Sequence, residues 1–429
     1  MAFSIGDDEL DAELTLFGLR FEPNAVHAVA GPDGWFTTKL SSSEGPLVSD
    51  FVTHEASFTY RTYGIHIGQD DRLTFMGAGA GPIVGHFVDC RAGSPTQHQR
   101  LSVSYAPSLA RRLVVPMGVA HTFDGLGGIV TRDEPVWYAD EGNVDWNINN
   151  DLVSVLRDVE PADFPLVRPN RYRLSDQLHQ FQSRLSQSLL ETPTSYSARF
   201  LLTIGGEDRY VMFQPRSWTD DAETVARLLD LPAVPGLEVH RSRYAITGPS
   251  SWTLVPSTGS CVADVLVLPG RSAPTADRFL HRRTRKWYTF LDQEGCPVRI
   301  DLTDRRPGSP TYGCRHTVET TADPRVAYAI DPGVAYAITA ERDVLVRCEH
   351  EVYVATDEPR ADLPPFGADL LVLADDGAPP TDPPLPTLRC PDDVVRTMAR
   401  VEQVLAGPTP TEPVRSVRGA APAPVELVR

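Results

Sequence analysis

An internal repeat with an offset of 215 residues constrains the fold of this 429-residue chain more than any other sequence feature. The segment from His66 to Arg132 aligns without a gap with the segment from His281 to Arg347. Identical pairs at this offset include Thr74 and Thr289, Phe75 and Phe290, Pro82 and Pro297, Asp89 and Asp304, Arg91 and Arg306, Gly93 to Thr96 and Gly308 to Thr311, and Gly118 to Ala120 and Gly333 to Ala335. Solenoid repeats are only about 20 to 50 residues long, so this period marks a duplicated domain. Both halves should share one fold.

The first half consists of short apolar or alternating runs separated by Gly, Pro, Ser and Asp. These runs lie at 14–21, 35–40, 73–76, 83–88, 101–105, 113–115 and 129–131. Regularly spaced short strands with turn residues between them are typical of all-β sandwiches and barrels. Asp89 and Asp304 lie beside such turns, where aspartate often accepts hydrogen bonds from backbone amides, so we expect a structural role for both.

Three segments have a helical pattern. In 174–191, apolar residues recur at steps of three or four, and further helices are expected at 220–231 and 391–406. The residues after Gly407 are rich in Pro, Ala and Thr, which predicts a disordered tail. The expected division is a first domain at 1–192 (barrel at about 14–150 plus the helix at 174–191), a second at 193–406 (barrel at about 197–375 plus the last helix) and a tail at 407–429.

Composition excludes several functional classes. A formal net charge of -17 disfavours nucleic acid as a partner. The chain has no apolar run of the length that a membrane span needs, and 1–11 lacks the features of a signal peptide, so a cytoplasmic protein is expected. The six cysteines form no Cys-x-x-Cys pair, which indicates neither a zinc site nor a disulfide framework.

An ordered series of short motifs gives the first half a family resemblance. The series is Phe21-Glu22-Pro23, Asp33-Gly34-Trp35-Phe36, Tyr63-Gly64-Ile65-His66, Val88-Asp89-Cys90-Arg91, Gly93-Ser94-Pro95-Thr96, 116–121 ending at His121, and 141–147 with Trp146. In order and spacing it resembles the dTDP-4-dehydrorhamnose 3,5-epimerase family of cupins. The resemblance covers about 150 residues of the first half and about 110 of the second, where fewer pieces survive.

The resemblance implies a mainly β protein with two tandem cupin barrels, each a double-stranded β-helix or jelly roll, and a few peripheral helices. The site should lie inside the barrel mouth, with no cofactor and no metal. The sequence agrees on the metal, because both copies lack the His-x-His and Glu arrangement that binds metal in other cupins.

The resemblance also assigns catalytic roles. His66 matches the family's general base, which removes the acidic proton beside the 4-keto group, and histidine suits this task because its pKa lies near working pH. His121 matches a second histidine that contacts substrate. Arg72 stands where the family has a lysine near the keto oxygen, and its charge could stabilise the developing enolate.

The expected substrate-binding residues include departures from the family pattern. Glu141 matches a substrate-binding glutamate, and Arg132 is expected beside the same site. Tyr63 replaces an arginine, and Thr131 replaces the tyrosine that reprotonates the carbon from the opposite face. Threonine cannot donate a proton usefully near neutral pH, so epimerisation through both faces is in doubt. A shifted Asp176 is the one candidate for the aspartate that orients the base.

The second copy is predicted to be the weaker active site. It retains His281, Arg278 and Lys286, but it has Tyr336 where the first copy has His121 and Val346 where the first has Thr131. Chemistry is therefore expected in the first barrel.

The reaction expected from the resemblance is a cofactor-independent epimerisation or isomerisation of a 4-keto deoxysugar nucleotide, in secondary-metabolite or glycan biosynthesis. A histidine base would transfer a proton at one centre. Two alternatives stay open: an isomerase, cyclase or dehydratase for another carbonyl metabolite, and a non-catalytic partner of a sugar-modifying enzyme. The expected partner is a small molecule such as a dTDP-sugar. The two barrels should form an internal pseudo-dimer, as a monomer or a homodimer of such units.

Overall fold

A computed structural model describes residues 14–175, 198–354, 369–374, 388–395 and 426–428, with short gaps inside these ranges. The helix predicted at 174–191 and most of the one predicted at 391–406 lie outside the described residues. The helix predicted at 220–231 is confirmed as α1, Ala222–Asp230. No helix among the described residues has both the length and the apolarity needed to cross a membrane.

The first half of the chain forms short strands and one 3-10 turn at Pro161–Asp163. The strands are β1 Arg20–Pro23, β2 Val26–Ala30, β3 Phe36–Ser41, β4 Asp50–His54, β5 Thr62–His66, β6 Gln69–Met76, β7 Ile83–Asp89, β8 Arg100–Tyr105, β9 Arg111–Val115, β10 Val119–Asp124, β11 Val130–Asp133, β12 Val136–Ala139, β13 Leu152–Leu156 and β14 Tyr172–Arg173.

The second half repeats this pattern. Its strands are β15 Ala198–Ile204, β16 Glu207–Phe213, β17 Leu237–Arg241, β18 Ala245–Thr247, β19 Trp252–Pro256, β20 Ala263–Leu268, β21 Asp277–His281, β22 Thr284–Phe290, β23 Pro297–Asp304, β24 Arg315–Thr321, β25 Val326–Ile330, β26 Val334–Ala340, β27 Val344–Val354, β28 Leu370–Ala374, β29 Leu388–Arg389 and β30 Glu426–Val428.

Eight consecutive strands build each barrel from two antiparallel sheets. In the first barrel the sheet orders are β9-β6-β11-β4 and β5-β10-β7-β8, and in the second they are β25-β22-β27-β20 and β21-β26-β23-β24. Successive strands of a barrel alternate between its two sheets. The exceptions are β7 and β8 in the first barrel and β23 and β24 in the second, which are neighbours in one sheet. This winding is a double-stranded β-helix, a jelly-roll architecture. The predicted fold class, mainly β with two tandem cupin barrels, is confirmed.

Strand alternation fills the interior of each barrel. On β6, Leu73 and Phe75 point into the first core, which is rich in aromatic side chains such as Phe87 and Phe123. On β22, Tyr288 and Phe290 occupy the corresponding places in the second core. These apolar cores leave one end of each barrel, the polar end, where the inward positions of β6 and β22 carry Asp71 and Lys286.

The two barrels exchange strands. From the second half, β19 pairs with β4, and from the first half, β3 pairs with β20. The outer faces of the sheets meet in an apolar cluster that joins Phe51 and Val130 to Val265 and Leu291. The guanidinium of Arg347 lies 5.6 Å from the centre of the Phe51 ring. Each barrel thus lends the other a strand that covers a sheet edge.

Of the tail predicted at 407–429, the structure describes only residues 426–428. Residues Glu426–Val428 form β30, which pairs antiparallel with β8 at the edge of the first barrel. A free edge strand offers unpaired backbone groups, and this short Val- and Leu-containing segment has the β propensity to satisfy them.

An identical turn follows the third strand of the second sheet in both barrels. Asp89 accepts hydrogen bonds from the Arg91 guanidinium (2.8 and 2.9 Å) and from the Ser94 and Thr96 hydroxyls (2.5 Å each). Asp304 repeats these contacts with the equivalent residues. Burial alone would raise the pKa of Asp89, but these hydrogen bonds outweigh it and hold the pKa at about 2. The expected structural role of both aspartates agrees with these contacts.

At pH 7, Asp89→Asn should lower the free energy of unfolding by about 2 kcal/mol, the equivalent of the depressed pKa. The ionised form gives stability above the unfolded pKa of about 4, and this stability is lost as pH falls toward 2. Urea unfolding of the parent protein and of Asp89→Asn should therefore differ in free energy at pH 7, and this difference should disappear as the pH is lowered to about 2.5. The exposed control Asp230→Asn should show no such difference, and a difference of constant size would contradict the assignment.

Candidate functional site

The centre of the first barrel's polar end is a histidine fixed by a buried carboxylate. His66 ends β5, and its Nδ1 lies 2.7 Å from Oδ2 of Asp151, just before β13. The other oxygen of Asp151 accepts hydrogen bonds from the Gly68 amide (2.5 Å) and the Trp146 indole (2.6 Å). A carboxylate held at both oxygens fixes the tautomer and the orientation of the imidazole.

Gly68 is the position in this arrangement that has no room for a side chain. A Cβ added there would lie 2.5 Å from the Trp146 ring and 2.6 Å from the side-chain amide of Asn170. The indole reaches Asp151 across the backbone of Gly68, so glycine is required for the close approach.

Two further polar side chains face Nε2 of His66. Oδ2 of Asp71, on β6, lies 3.4 Å from Nε2 of His66 and 3.1 Å from Nε2 of His121 on β10. The two imidazole rings stack with centroids 5.7 Å apart. Gln69 donates a 2.6 Å hydrogen bond to the other oxygen of Asp71 and accepts one from Trp137 (2.9 Å).

Charge pairing dominates the electrostatics of this cluster. Burial alone would lower the pKa of His66, but the carboxylates of Asp71 and Asp151 outweigh it and raise the pKa to about 9. Burial alone would raise the pKa of Asp71, but His66 and His121 hold it at about 2. Asp71 is therefore ionised at neutral pH and holds a cationic imidazole beside it.

The structure brings His66 and His121 together but places Arg72 elsewhere. Asp71 shares the inward face of β6 with Leu73, so the neighbouring Arg72 lies on the outward face. On that face the adjacent Asp70 accepts hydrogen bonds from the Met117 amide (2.9 Å) and the Tyr138 hydroxyl (3.1 Å). The sheet thus separates Arg72 from the two histidines.

Two of the four expected substrate-binding residues are also remote from the histidines. Tyr63 is buried in a separate apolar cluster on the outside of the barrel, with its ring 5.2 Å from Phe164. Arg132 is buried on the outward face of β11, where its guanidinium lies 2.8 Å from Glu134. Both residues stabilise packing outside the barrel interior.

The other two expected residues, Thr131 and Glu141, occupy different places. Thr131 is opposite Phe75 in the sheet register and faces the interior, where its hydroxyl has no hydrogen-bond partner among the described residues. Glu141, in the turn after β12, pairs with Arg171, whose guanidinium also lies 2.7 Å from Asp140.

The second barrel preserves the dyad but not its surroundings. Nδ1 of His281 lies 3.2 Å from Asp369, the counterpart of Asp151. Lys286 stands at the position of Asp71, with its Nζ 2.5 Å from Nδ1 of His350. Tyr336 replaces His121, and its hydroxyl lies 2.5 Å from that of Tyr288. The second barrel, which was predicted to be the weaker active site, therefore keeps a histidine oriented by a carboxylate. Lys286, a cation, replaces the carboxylate of Asp71 beside it.

Sequence reasoning missed the two carboxylates that define the first site. Asp176, suggested as the orienting aspartate, lies outside the described residues, and Asp151 orients His66 instead. Asp71 was recognisable from alternation, because it belongs to the series Gln69, Asp71, Leu73 and Phe75 on one face of a strand. Asp151 had no comparable signal, since its contact with His66 spans 85 residues.

No family model matches the chain, and no curated protein matches it. Among solved structures it is similar to a dTDP-sugar isomerase from Desulfovibrio desulfuricans (15% identity, TM-score 0.23, 35% of this chain and 92% of that one). A dTDP-6-deoxy-D-glucose-3,5-epimerase from Legionella pneumophila gives 17% identity and a TM-score of 0.25 over 37% of this chain and 85% of that one. An oxalate decarboxylase from Lactobacillus farciminis gives 12% identity and a TM-score of 0.21 over 77% of this chain and 85% of that one.

The strand order of the two barrels identifies the fold. The chain has a bicupin fold, with two double-stranded β-helix barrels in tandem. The first barrel carries two inward-facing histidines with two carboxylates, and the second carries His281 and His350 with a lysine and a tyrosine pair.

Gly68→Ala should destabilise the bicupin by about 1 to 3 kcal/mol, the usual cost of forcing extra volume into a packed site. The matched control is Gly81→Ala, because a Cβ at Gly81 meets nothing within 4 Å. That control should stay within about 0.5 kcal/mol of the parent protein. Thermal or urea unfolding measures both, and equal stability of the two variants would show that Trp146 does not need the space.

Proposed function

We propose that this bicupin is a cofactor-independent isomerase or epimerase that transfers a proton beside the carbonyl of a 4-keto deoxysugar nucleotide, in the first barrel. One observation carries the proposal: Asp151 fixes Nδ1 of His66 (2.7 Å), so that Nε2 faces the barrel interior. An imidazole oriented by a carboxylate is a suitable general base. The sequence resemblance supplies the class of substrate.

In the proposed step, Nε2 of His66 accepts the proton from the carbon next to the keto group. The C–H electron pair becomes the C=C bond of an enolate, and the negative charge moves to the former carbonyl oxygen. Asp71 lies 3.4 Å from Nε2 and favours the protonated imidazole, so substrate must first separate the two groups and His66 must lose that proton before it acts as a base. His121, whose Nε2 faces the same space, is placed to donate a hydrogen bond to the enolate oxygen.

The residues around the site favour proton transfer on one face of the substrate. Thr131 faces the interior where a tyrosine acid would be needed, and a threonine hydroxyl is a poor proton donor near neutral pH. His66 can return the proton that it removed to the same face. That path supports isomerisation of a keto group to a neighbouring carbon, or exchange at one centre, without a second acid.

The proposed function predicts solvent deuterium incorporation into dTDP-4-keto-6-deoxyglucose in deuterated water, located by NMR. His66→Ala should slow exchange by on the order of 10² to 10⁴, the usual contribution of general acid–base catalysis. Asp151→Asn should also slow it, because an amide cannot hold the same imidazole tautomer. His281→Ala, the equivalent change in the second barrel, is the matched control and should stay within a few-fold of the parent.

Melting curves must accompany these rates, since either histidine change can destabilise its barrel. Label at one carbon supports the one-centre reaction, whereas label at both C3 and C5 would show exchange at two centres and contradict it. Loss of exchange in a folded His281→Ala variant, with His66→Ala active, would assign the chemistry to the second barrel. Absence of label in the parent protein would overturn the sugar-nucleotide substrate.

A further inference from the structure

Three ligand-type atoms from three strands converge inside the first barrel. They are Nε2 of His66 on β5, Nε2 of His121 on β10 and Oδ2 of Asp71 on β6, all within 4.8 Å of one another. The carboxylate oxygen is 3.4 and 3.1 Å from the two nitrogens. Ligand atoms about 2.0 to 2.2 Å from one metal ion lie roughly 3 to 3.5 Å apart, so both distances suit a shared ion.

The rest of each side chain is held as metal ligands usually are. Metal-binding histidines donate their other ring N–H to a carboxylate or a backbone carbonyl, which leaves the second nitrogen for the ion. Nδ1 of His66 meets Asp151 (2.7 Å), and Nδ1 of His121 meets the Val119 carbonyl (3.3 Å). Gln69 holds the second oxygen of Asp71 (2.6 Å). The atoms that face one another are thus the ones left to coordinate a cation, once the imidazoles release any proton on Nε2.

The second barrel lacks the same set. Lys286 and Tyr336 occupy the positions of Asp71 and His121. A lysine ammonium repels a metal cation, and a buried tyrosine is a weak ligand in its protonated form. A site of this kind therefore belongs to one barrel of the two.

We propose that His66, His121 and Asp71 form a binding site for one divalent transition-metal ion per chain. Two imidazoles and a carboxylate suit ions such as Zn²⁺, Fe²⁺ or Co²⁺. Metal binding and the proposed proton transfer exclude each other, because both require the lone pair on Nε2 of His66. Only this exclusion rests on the proposed function; the site itself does not. The resemblance implied no metal, and the missing His-x-His and Glu arrangement agreed with it, whereas this set takes its second histidine from β10.

Titration of untagged, metal-stripped full-length protein with Co²⁺, followed by calorimetry and visible absorption, tests the site. We expect one equivalent to bind. Asp71→Asn and His121→Gln should each weaken binding by on the order of 100-fold or more, and Asp151→Asn by about 10- to 100-fold, the range seen for residues that orient a ligand. Asp70→Asn is the matched control, because Asp70 lies on the opposite face of β6 and contacts Met117 and Tyr138.

Circular dichroism identifies variants that fail to fold, and the three site variants give independent readings. No binding by the parent protein, two equivalents, or equal weakening by Asp70→Asn and Asp71→Asn would overturn the site. Deuterium exchange with and without bound Zn²⁺ tests the exclusion separately. Exchange that stops with metal supports it, while exchange that persists or rises with metal would overturn it and the role of His66 as base, with the binding result unchanged.

Discussion

Closure of the sheet edges is the constraint on which the rest of this structure depends. A sheet that ends at an unpaired strand exposes backbone N–H and C=O groups, and each barrel meets this need with a strand from the other half of the chain. The exchange also brings the outer faces of the two sheets together around Phe51 and Val265. Consequently Arg132 and Thr74, on the outward faces, are buried although they lie outside both barrel interiors. The duplication provides the partner surface within one chain.

Within this framework, a few buried carboxylates organise the polar end of the first barrel. Burying an ionised carboxylate is costly unless hydrogen bonds and opposite charges compensate. Asp151 is compensated by His66, Trp146 and a backbone amide, and Asp71 by two histidines and Gln69. The compensation fixes the two imidazoles in one arrangement. The proposed proton transfer and the proposed cation coordination would both use this arrangement, and they would compete for one lone pair on Nε2 of His66.

The two copies show how little change alters such a site. Both keep the histidine–aspartate dyad, at 2.7 Å in the first barrel and 3.2 Å in the second. One inward position on the next strand carries Asp71 in one copy and Lys286 in the other, which reverses the sign of the charge beside the dyad. The position of His121 carries Tyr336, whose hydroxyl is taken up by Tyr288. The backbone is shared, while the chemistry is decided by two or three inward side chains.

The sequence by itself predicted the fold and the two histidines of the candidate site, His66 and His121. The 215-residue repeat and the spacing of short strands predicted two equivalent all-β domains, sandwiches or barrels, because hydrophobic alternation and turn residues act locally along the chain, and the motif resemblance implied cupin barrels. The motif series identified His66 and His121. It could not show that Arg72 and Arg132 face outward, since that depends on strand register, which is set by pairing with distant strands. Alternation along β6 could place Asp71 on the inward face, but only the tertiary structure decided that Asp151, 85 residues along the chain from His66, completes the cluster, because a contact between separate strands leaves no local pattern.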